Sequence, residues 1–241
     1  MRILSIIFLS LTIVSVSNAQ KLGDLVNKAK KAIKGEGLTE DEMGMGLKEA
    51  LNLGTGEAVD FLSAEDGFYK SVYKIALPDE AQQIVSKIST LPGFTDFESK
   101  LVERMNRAAE LAASKAKPIF VSAIKNLTFK DVTNILMGEK DAATRYLQRT
   151  TSQQLYDEFR PVIASALDEV NARSLWKEAV TAYNKIPLVK KTNPDLDDHV
   201  TKKSLDGVFG LIEKKEEGIR SDVGQRSSEL LRKVFAKQDN S

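Results

Sequence analysis

The sequence predicts an all-α fold, a single bundle-like domain of several helices with kinks, and three observations support this. Apolar residues recur at spacings of three and four along most of the chain, which is the period of one helix face. Residues that start or stop helices separate these runs, among them Pro118, Thr128, Gly138 and Asp141. No run alternates convincingly between apolar and polar residues, as a half-buried strand would. One helical domain is the simplest account.

The first nineteen residues have the pattern of a secretory signal peptide. Arg2 gives a basic start, Ile3 to Val16 form an apolar run, and Ala19 supplies a small residue at the cleavage point. The run is shorter than the roughly 20 residues that a membrane-spanning helix needs. We therefore expect residues 1–19 to be removed and the protein to be exported, either to the periplasm or outside the cell.

Residues 20–38 are expected to form a basic N-terminal helix and a linker. The stretch from Lys21 to Lys34 places its apolar residues on one face and its lysines elsewhere, so it could contact a membrane surface. Because it contains few large apolar residues, a solvated or loosely docked terminal helix is the favoured interpretation. The all-helical domain then occupies residues 39–241.

In the first part of that domain, Thr39 and Glu42 have the spacing of a capping box and predict a helix that ends near Leu62. Residues 64–78 lack a helical period and predict a long loop with a short extended piece. Pro78 is expected to start a helix that ends before Pro92, and Thr95 to cap the next one. The buried stripe of this central helix is predicted to be Phe97, Leu101, Met105, Ala108 and Ala112.

Local punctuation predicts the later helices. Pro118 interrupts or restarts the helical ladder because it has no N–H to donate. Thr128 and Asp131 predict a capped short helix that Gly138 stops. Asp141 is expected to cap a helix over residues 142–149. A separate amphipathic helix then begins near residue 151 or 152, is kinked by Pro161, and is followed by helices near residues 175–183, 196–220 and 230–235.

Charge and composition exclude some functions. The chain has 35 Lys and Arg residues and 34 Asp and Glu residues. Arg2 is the one charged residue of the predicted leader, so the chain without the leader is formally neutral. Nonspecific nucleic-acid binding needs an excess of basic groups, and we expect no nucleic-acid partner. The chain contains no cysteine, which excludes disulfides and a cysteine nucleophile.

Neither a metal centre nor a catalytic signature is apparent, and no cofactor is expected. His199 is the sole histidine, and although Asp195, Asp197 and Asp198 lie beside it, capping of a helix is the favoured role for these aspartates. No Gly-x-Ser-x-Gly elbow occurs. Carboxylate pairs such as Glu103 with Glu110, or Glu213 with Glu217, leave a carboxylate-dependent hydrolase as an alternative.

The most suggestive polar residues are arginines. Arg145 and Arg149 lie four residues apart on one helix face, where like charges repel unless an anion or a carboxylate intervenes. Pairing of the arginines with neighbouring carboxylates is the favoured reading, and convergence on an anionic ligand is the functional one. The candidate ligand-binding residues are Arg104, Arg107, Glu110, Arg145, Arg149 and Arg160.

Several segments resemble the bacterial family described as domain of unknown function 4197. The matching segments are GLKEAL at 46–51, MNRAAE at 105–110, AKPIFVSAIKNLTF at 116–129, AATRYLQRTT at 142–151, FRPVI at 159–163, YNKIPLV at 183–189 and LDGVFGLIEKKEEGIR at 205–220. The resemblance implies an exported or lipoprotein-like, mainly helical protein of Gram-negative bacteria, and it supplies no catalytic residues. His199 stands where many members carry an aromatic residue, and the lipid-bearing cysteine of some members is absent.

The sequence therefore favours an exported helical binding or structural module of the bacterial envelope. We expect its partner to be an anionic small molecule or peptide, or another envelope protein. The alternatives are the carboxylate-dependent hydrolase and a peripheral membrane protein that binds through Lys21 to Lys34.

Overall fold

Helices occupy most of the chain that the structure describes. The computed structural model describes residues 38–78, 82, 84–85, 96–169, 171–185, 187–188, 190–191 and 195–236. Within these ranges the regular elements are helices and no strand occurs, which confirms the predicted all-α class. The predicted leader and the segment from Lys21 to Lys34 lie outside the described residues.

The described helices are α1 Glu40–Ser63, α2 Phe97–Ala113, α3 Ala116–Lys125, α4 Phe129–Leu136, α5 Ala142–Asp168, α6 Ala172–Asn184, α7 Leu196–Ser221, a 3₁₀ turn Val223–Gln225 and α8 Glu229–Phe235. The described helices from α2 to α5 are joined by short connections. None of the described helices is long and apolar enough to cross a membrane.

The two longest helices, α5 and α7, lie against each other at the centre of the domain. Helix α2 contacts both of them, and α1 packs against α7, α3 and α8. The predicted small-residue stripe of α2 is confirmed, because the side chains of Met105, Ala108 and Ala112 have no exposed surface. Small side chains let helix backbones approach closely, so α2 can fit between its neighbours.

Several helix boundaries agree with the sequence. Helix α1 begins directly after Thr39 and ends one residue beyond the predicted Leu62. Thr128 and Asp131 form the predicted capping box of α4, with the Asp131 N–H donating to the Thr128 hydroxyl at 3.2 Å and Asp131 Oδ2 accepting from the Thr128 N–H at 3.0 Å. Gly138 follows the C-cap of the same helix, as predicted.

The predicted break near residue 150 is wrong, because α5 runs without interruption from Ala142 to Asp168. The hydroxyls of Thr150, Thr151 and Ser152 donate to backbone carbonyls four residues earlier, at 2.8, 2.6 and 2.5 Å. These residues are therefore accommodated within the helix instead of capping a new one. The helix also continues through Pro161.

Asp141 occupies the N-cap position of α5, but its side chain makes no capping hydrogen bond. Instead Glu216 of α7 accepts from the backbone N–H groups of Ala143 and Thr144, at 3.0 and 2.8 Å, and from the Thr144 hydroxyl at 2.8 Å. A carboxylate from a distant helix thus satisfies the free N–H groups at the start of α5. Sequence proximity alone favoured Asp141.

The predicted helix near Pro78 is only partly visible. Residues 82, 84 and 85 are helical, so Ile84 and Val85 of its predicted apolar face are described, whereas Ala81, Ile88 and Thr95 lie outside the described residues. Helix α2 begins after Asp96. Pro118 lies in the first turn of α3, where its missing N–H leaves no intrahelical bond unmade.

Candidate functional site

The loop after α1 is held against α2 by hydrogen bonds to its backbone. Glu110 Oε1 accepts from the N–H groups of Phe68 and Tyr69, each at 3.1 Å. Arg107 donates to Glu110 at 2.8 Å and to Asp66 at 2.7 Å, so it joins the helix to the loop a second time. Because Phe68 is fully buried, this part of the loop belongs to the core.

A strand-like segment, residues 74–78, follows this turn region. The Ile75 N–H donates to Asn106 Oδ1 at 2.8 Å, and Asn106 Nδ2 donates back to the Ile75 carbonyl at 2.9 Å. One side-chain amide reaches both groups because they point the same way, as in an extended strand. Ile75 and Leu77 are buried whereas Lys74 and Ala76 are exposed, which is the alternation of a strand with one face in the core.

A cavity of about 580 Å³ lies between this segment and α7, and we call it the His199 cavity. Its walls are residues 72–78 on one side and His199, Lys203, Asp206 and Gly207 on the other. Gly207 allows the two walls to lie close together, because a Cβ at this position would collide with the ring of Phe68. The loop can therefore lie against α7 only where that helix has no side chain.

His199 joins the two walls of the cavity. Its Nε2 lies 3.1 Å from the carbonyl oxygen of Ala76, and since a carbonyl only accepts, Nε2 carries the proton. Burial lowers the pKa of His199 below its ordinary value of 6.5, because the charged imidazolium loses hydration there. The neutral imidazole is thus favoured at neutral pH.

The cavity has an unused hydrogen-bond donor and a modest positive charge. No described residue accepts a hydrogen bond from the Ala76 N–H, and none donates to the Lys74 carbonyl. Lys74 and Lys203 line the cavity against a single carboxylate, Asp206, which pairs with Lys203 at 3.3 Å. A ligand with a negative charge and hydrogen-bonding groups would complement these walls.

A smaller groove of about 250 Å³, which we call the arginine groove, contains Arg145 and Arg149. Both arginines are exposed, and Arg145 Nε donates to Asp141 at 2.7 Å while the Arg149 guanidinium lies 5.6 Å from the Tyr146 ring centre. Asp131 and Glu139 also line this groove. The carboxylates balance the two arginines, so the groove does not carry the net positive charge that a small anion would require.

The Asp131 carboxylate already interacts with a cation of the arginine groove. Hydrogen bonds from the Thr128 hydroxyl and backbone lower the pKa of Asp131, with a smaller contribution from the charge of Arg149. The carboxylate therefore stays ionised next to that guanidinium and competes with any external anion for it.

The other predicted ligand residues lie elsewhere. Arg107 and Glu110 bind each other and the loop, and Arg160 donates to Asp197 at 2.8 Å and to Asp195 at 3.0 Å. Arg104 is exposed and forms no ion pair with the described residues. Arg145 and Arg160 are fifteen residues apart on α5, about 22 Å along its axis, so the six residues do not converge on one site.

The aspartates near His199 connect helices. Asp195 occupies the N-cap position of α7 as expected, but its side chain makes no capping bond. Asp197 accepts from Arg160 and from Arg173 of α6, and Asp198 accepts from the Tyr156 hydroxyl at 2.7 Å. Among the described residues, no group of three or more His, Asp or Glu side chains is arranged to hold a metal ion.

No sequence pattern directly indicated the contact between Asn106 and Ile75, which lie 31 residues apart. One signal was available, since Asn106 is a polar residue beside the apolar stripe of α2. A buried amide in such a place must find partners, and loop backbone was the nearest candidate. The polar set Asn106, Arg107 and Glu110 could have been read as a surface for the adjoining loop.

Comparison with known proteins identifies a family but no activity. No curated protein and no solved structure matches the chain. The family model described as "Protein of unknown function (DUF4197)" matches residues 37–236, which is most of the chain and contains both the loop held by α2 and the His199 cavity. The chain therefore belongs to the DUF4197 family.

Proposed function

We propose that this protein is an exported helical binding module of the bacterial envelope whose ligand occupies the His199 cavity. The observation that carries the proposal is the cavity itself, whose volume of about 580 Å³ falls in the range of small-molecule and peptide sites, roughly 300–1,000 Å³. The export part of the proposal depends on the signal-like pattern of residues 1–19.

The chemistry of the walls favours a ligand over a purely structural use of this space. Exposed apolar surface at Val72 and the basic side chains of Lys74 and Lys203 line the cavity, and the Ala76 N–H has no acceptor among the described residues. Ligand sites typically combine apolar walls with a few convergent polar groups of this kind. The excess of one positive charge supports an anionic ligand, the class that the arginines suggested from sequence.

Binding fits this geometry better than carboxylate catalysis. The two buried glutamates, Glu110 and Glu216, already accept backbone N–H groups and pair with arginines. A general acid or base must reach a substrate proton, and these carboxylates face protein groups instead. Neither of these two buried glutamates is therefore available to the hydrolase alternative.

A ligand screen with matched charge variants tests the proposal. The mature chain would be screened by thermal shift against small carboxylates, phosphates and short acidic peptides, and hits would be measured by calorimetry. We expect the double variant Lys74→Gln/Lys203→Gln to weaken binding about tenfold, since each lost charge interaction is worth about 0.5–1 kcal/mol. The control Lys130→Gln/Lys177→Gln has the same change in net charge on exposed lysines of α4 and α6 and should bind normally.

Equal weakening by both double variants would show that only overall charge matters and would overturn the assignment to the cavity. A screen without any hit would overturn the binding module itself. Export is tested separately by expressing the full chain and determining the N-terminus of the protein recovered from the envelope. Recovery of an uncleaved chain from the cytoplasm alone would contradict export.

A further inference from the structure

We propose that the ligand of the His199 cavity is an extended acidic peptide, which adds to the strand-like segment 74–78 as a neighbouring strand. This inference rests on the proposed function and specifies its ligand class. Some backbone N–H and C=O groups of the segment are already hydrogen-bonded, whereas others have no partner among the described residues.

The inner edge of the segment is closed. Asn106 binds both backbone polar groups of Ile75, so this side chain takes the place that a paired strand would have. In an extended chain the N–H and C=O groups of successive residues point to alternate edges. The Lys74 carbonyl and both groups of Ala76 therefore point to the opposite edge, whereas the Lys74 N–H donates to the Ser71 carbonyl of the preceding turn at 3.2 Å.

The outer edge faces the cavity and is partly available. The Ala76 carbonyl accepts from His199, which identifies the direction of this edge as that of α7. The Ala76 N–H and the Lys74 carbonyl have no partner among the described residues. An incoming extended chain can offer its own carbonyl to the first and its own N–H to the second, which is the pattern of strand addition.

Exposed edges of this kind are normally protected in folded proteins. An unpaired strand edge is a template for another chain, and proteins cover it with a loop, a charge or a neighbouring element. Here the edge opens into about 580 Å³ of cavity between the segment and α7. A small molecule could use one of the two backbone groups, but an extended peptide matches both at once.

The charges of the cavity select among peptides. Lys74 and Lys203 line opposite walls of the cavity. The Lys74 ammonium lies 4.8 Å from the Tyr69 ring centre, and Asp206 pairs with Lys203. An acidic side chain of the peptide would be attracted by the nearby lysines. A basic side chain at the same place would be repelled by both of them. We therefore expect a preference for glutamate or aspartate.

The test uses the mature chain and an N-acetylated, C-amidated hexapeptide library with one central glutamate. Ala76→Pro removes the N–H donor and fixes φ of residue 76 at about −65°, and proline favours an extended preceding residue, which is the conformation of Ile75 in the strand-like segment. We expect this variant to bind hit peptides about tenfold more weakly, the effect of losing one hydrogen bond, whereas Ala76→Ser, which keeps the N–H, should bind normally.

A peptide-side control does not depend on the folding of any variant. N-methylation of successive peptide bonds should abolish binding at the residue that pairs with Lys74 and leave it unchanged at its neighbours, whose N–H groups point away. Uniform tolerance of N-methylation, or full affinity in Ala76→Pro, would overturn strand addition. If small carboxylates bind in the cavity and no peptide does, the proposed function stands and this inference fails.

Discussion

Two buried glutamates perform the same task in different surroundings. Glu110 accepts from two consecutive N–H groups of the loop after α1, and Glu216 accepts from two at the start of α5. Each also binds an arginine of its own helix, Arg107 at 2.8 Å and Arg220 at 2.8 Å. The chain thus uses one device twice, to attach a distant segment to a helix.

The arginines distinguish the two places. Arg220 is enclosed, with 6% of its side chain exposed, and donates to the Ile135 carbonyl at 2.9 Å. Arg107 keeps 26% of its side chain exposed and extends to Asp66 in the loop. The Glu216 pair therefore joins α4, α5 and α7 into a rigid frame, whereas the Glu110 pair supports a loop that leads to the His199 cavity. We therefore expect changes at Glu216 to affect mainly stability, and changes at Glu110 to affect ligand binding as well.

The largest effect is expected at the enclosed pair. Glu216→Ala leaves the Arg220 charge and the N–H groups of α5 without their acceptor, and breaking a buried pair in this way costs about 3–5 kcal/mol. Chemical denaturation followed by circular dichroism measures this loss. Glu213→Ala, an exposed site on the same helix, should change stability by less than about 0.5 kcal/mol. A small loss for Glu216→Ala would show that this pair does not hold the frame.

A smaller effect is expected at Glu110, because water can reach part of the loop. Glu110→Ala should cost about 2–3 kcal/mol, the penalty for leaving buried N–H groups unpaired, and should also weaken any ligand of the His199 cavity. Glu110→Gln retains the oxygen that accepts both N–H groups and loses only the charge pair with Arg107. It should therefore recover much of the stability and the binding, and equal losses in both variants would contradict this division of roles.

The pH dependence of the cavity wall should be smaller still. The pKa of His199 is lowered by burial, so the unfolded chain takes up this proton first as pH falls. The contribution of His199 is fully present above pH 6.5 and is lost as pH falls from there toward the lower folded pKa. Nearby Lys203 lowers this pKa further, and Asp198 and Asp206 oppose it.

Comparison with His199→Gln isolates this titration, because the chain contains one histidine. The denaturation midpoint of the wild type should fall relative to that of the variant below pH 6.5, the ordinary pKa of the histidine side chain. Parallel pH profiles would mean that the folded protein accepts the proton without cost.

The smallest effect on stability is expected in the arginine groove. Arg145→Gln/Arg149→Gln removes two exposed cations and one surface pair, so the free energy of unfolding should change by less than about 0.5 kcal/mol. If the anionic ligand suggested by sequence binds here, the double variant should also abolish the thermal shift that anions produce. A shift that the double variant retains would remove that hypothesis while leaving the His199 cavity unaffected.

Local features of the fold could be predicted from sequence, and long-range ones could not. The capping box of Thr128 and Asp131 involves residues three apart, so both its presence and its helix were predicted correctly. The cap of α5 comes from Glu216, more than seventy residues away, and the nearby Asp141 was chosen instead. The same local view split α5 at Thr151, since a hydroxyl residue can either cap a helix or bond back to a carbonyl within one.

The candidate site shows this limit more clearly. Spacing along α5 identified Arg145 and Arg149 as neighbours, and they share a groove. Spacing could not show that the groove also holds the carboxylates of Asp131 on α4 and Glu139 after it, or that Asn106 holds Ile75 in a strand-like conformation. For the region of His199 the sequence favoured a structural role over a metal one, but the contact of His199 with Ala76, 123 residues away, depends on the tertiary fold.

The single tryptophan provides a means to follow these changes without a label. Trp176 on α6 is 1% exposed, and α6 packs against both α5 and α7. Its intrinsic fluorescence should shift to the red when the indole ring enters water, so the emission maximum reports when α6 leaves the two central helices. Spectral changes that precede the loss of helical signal would show that α6 detaches first.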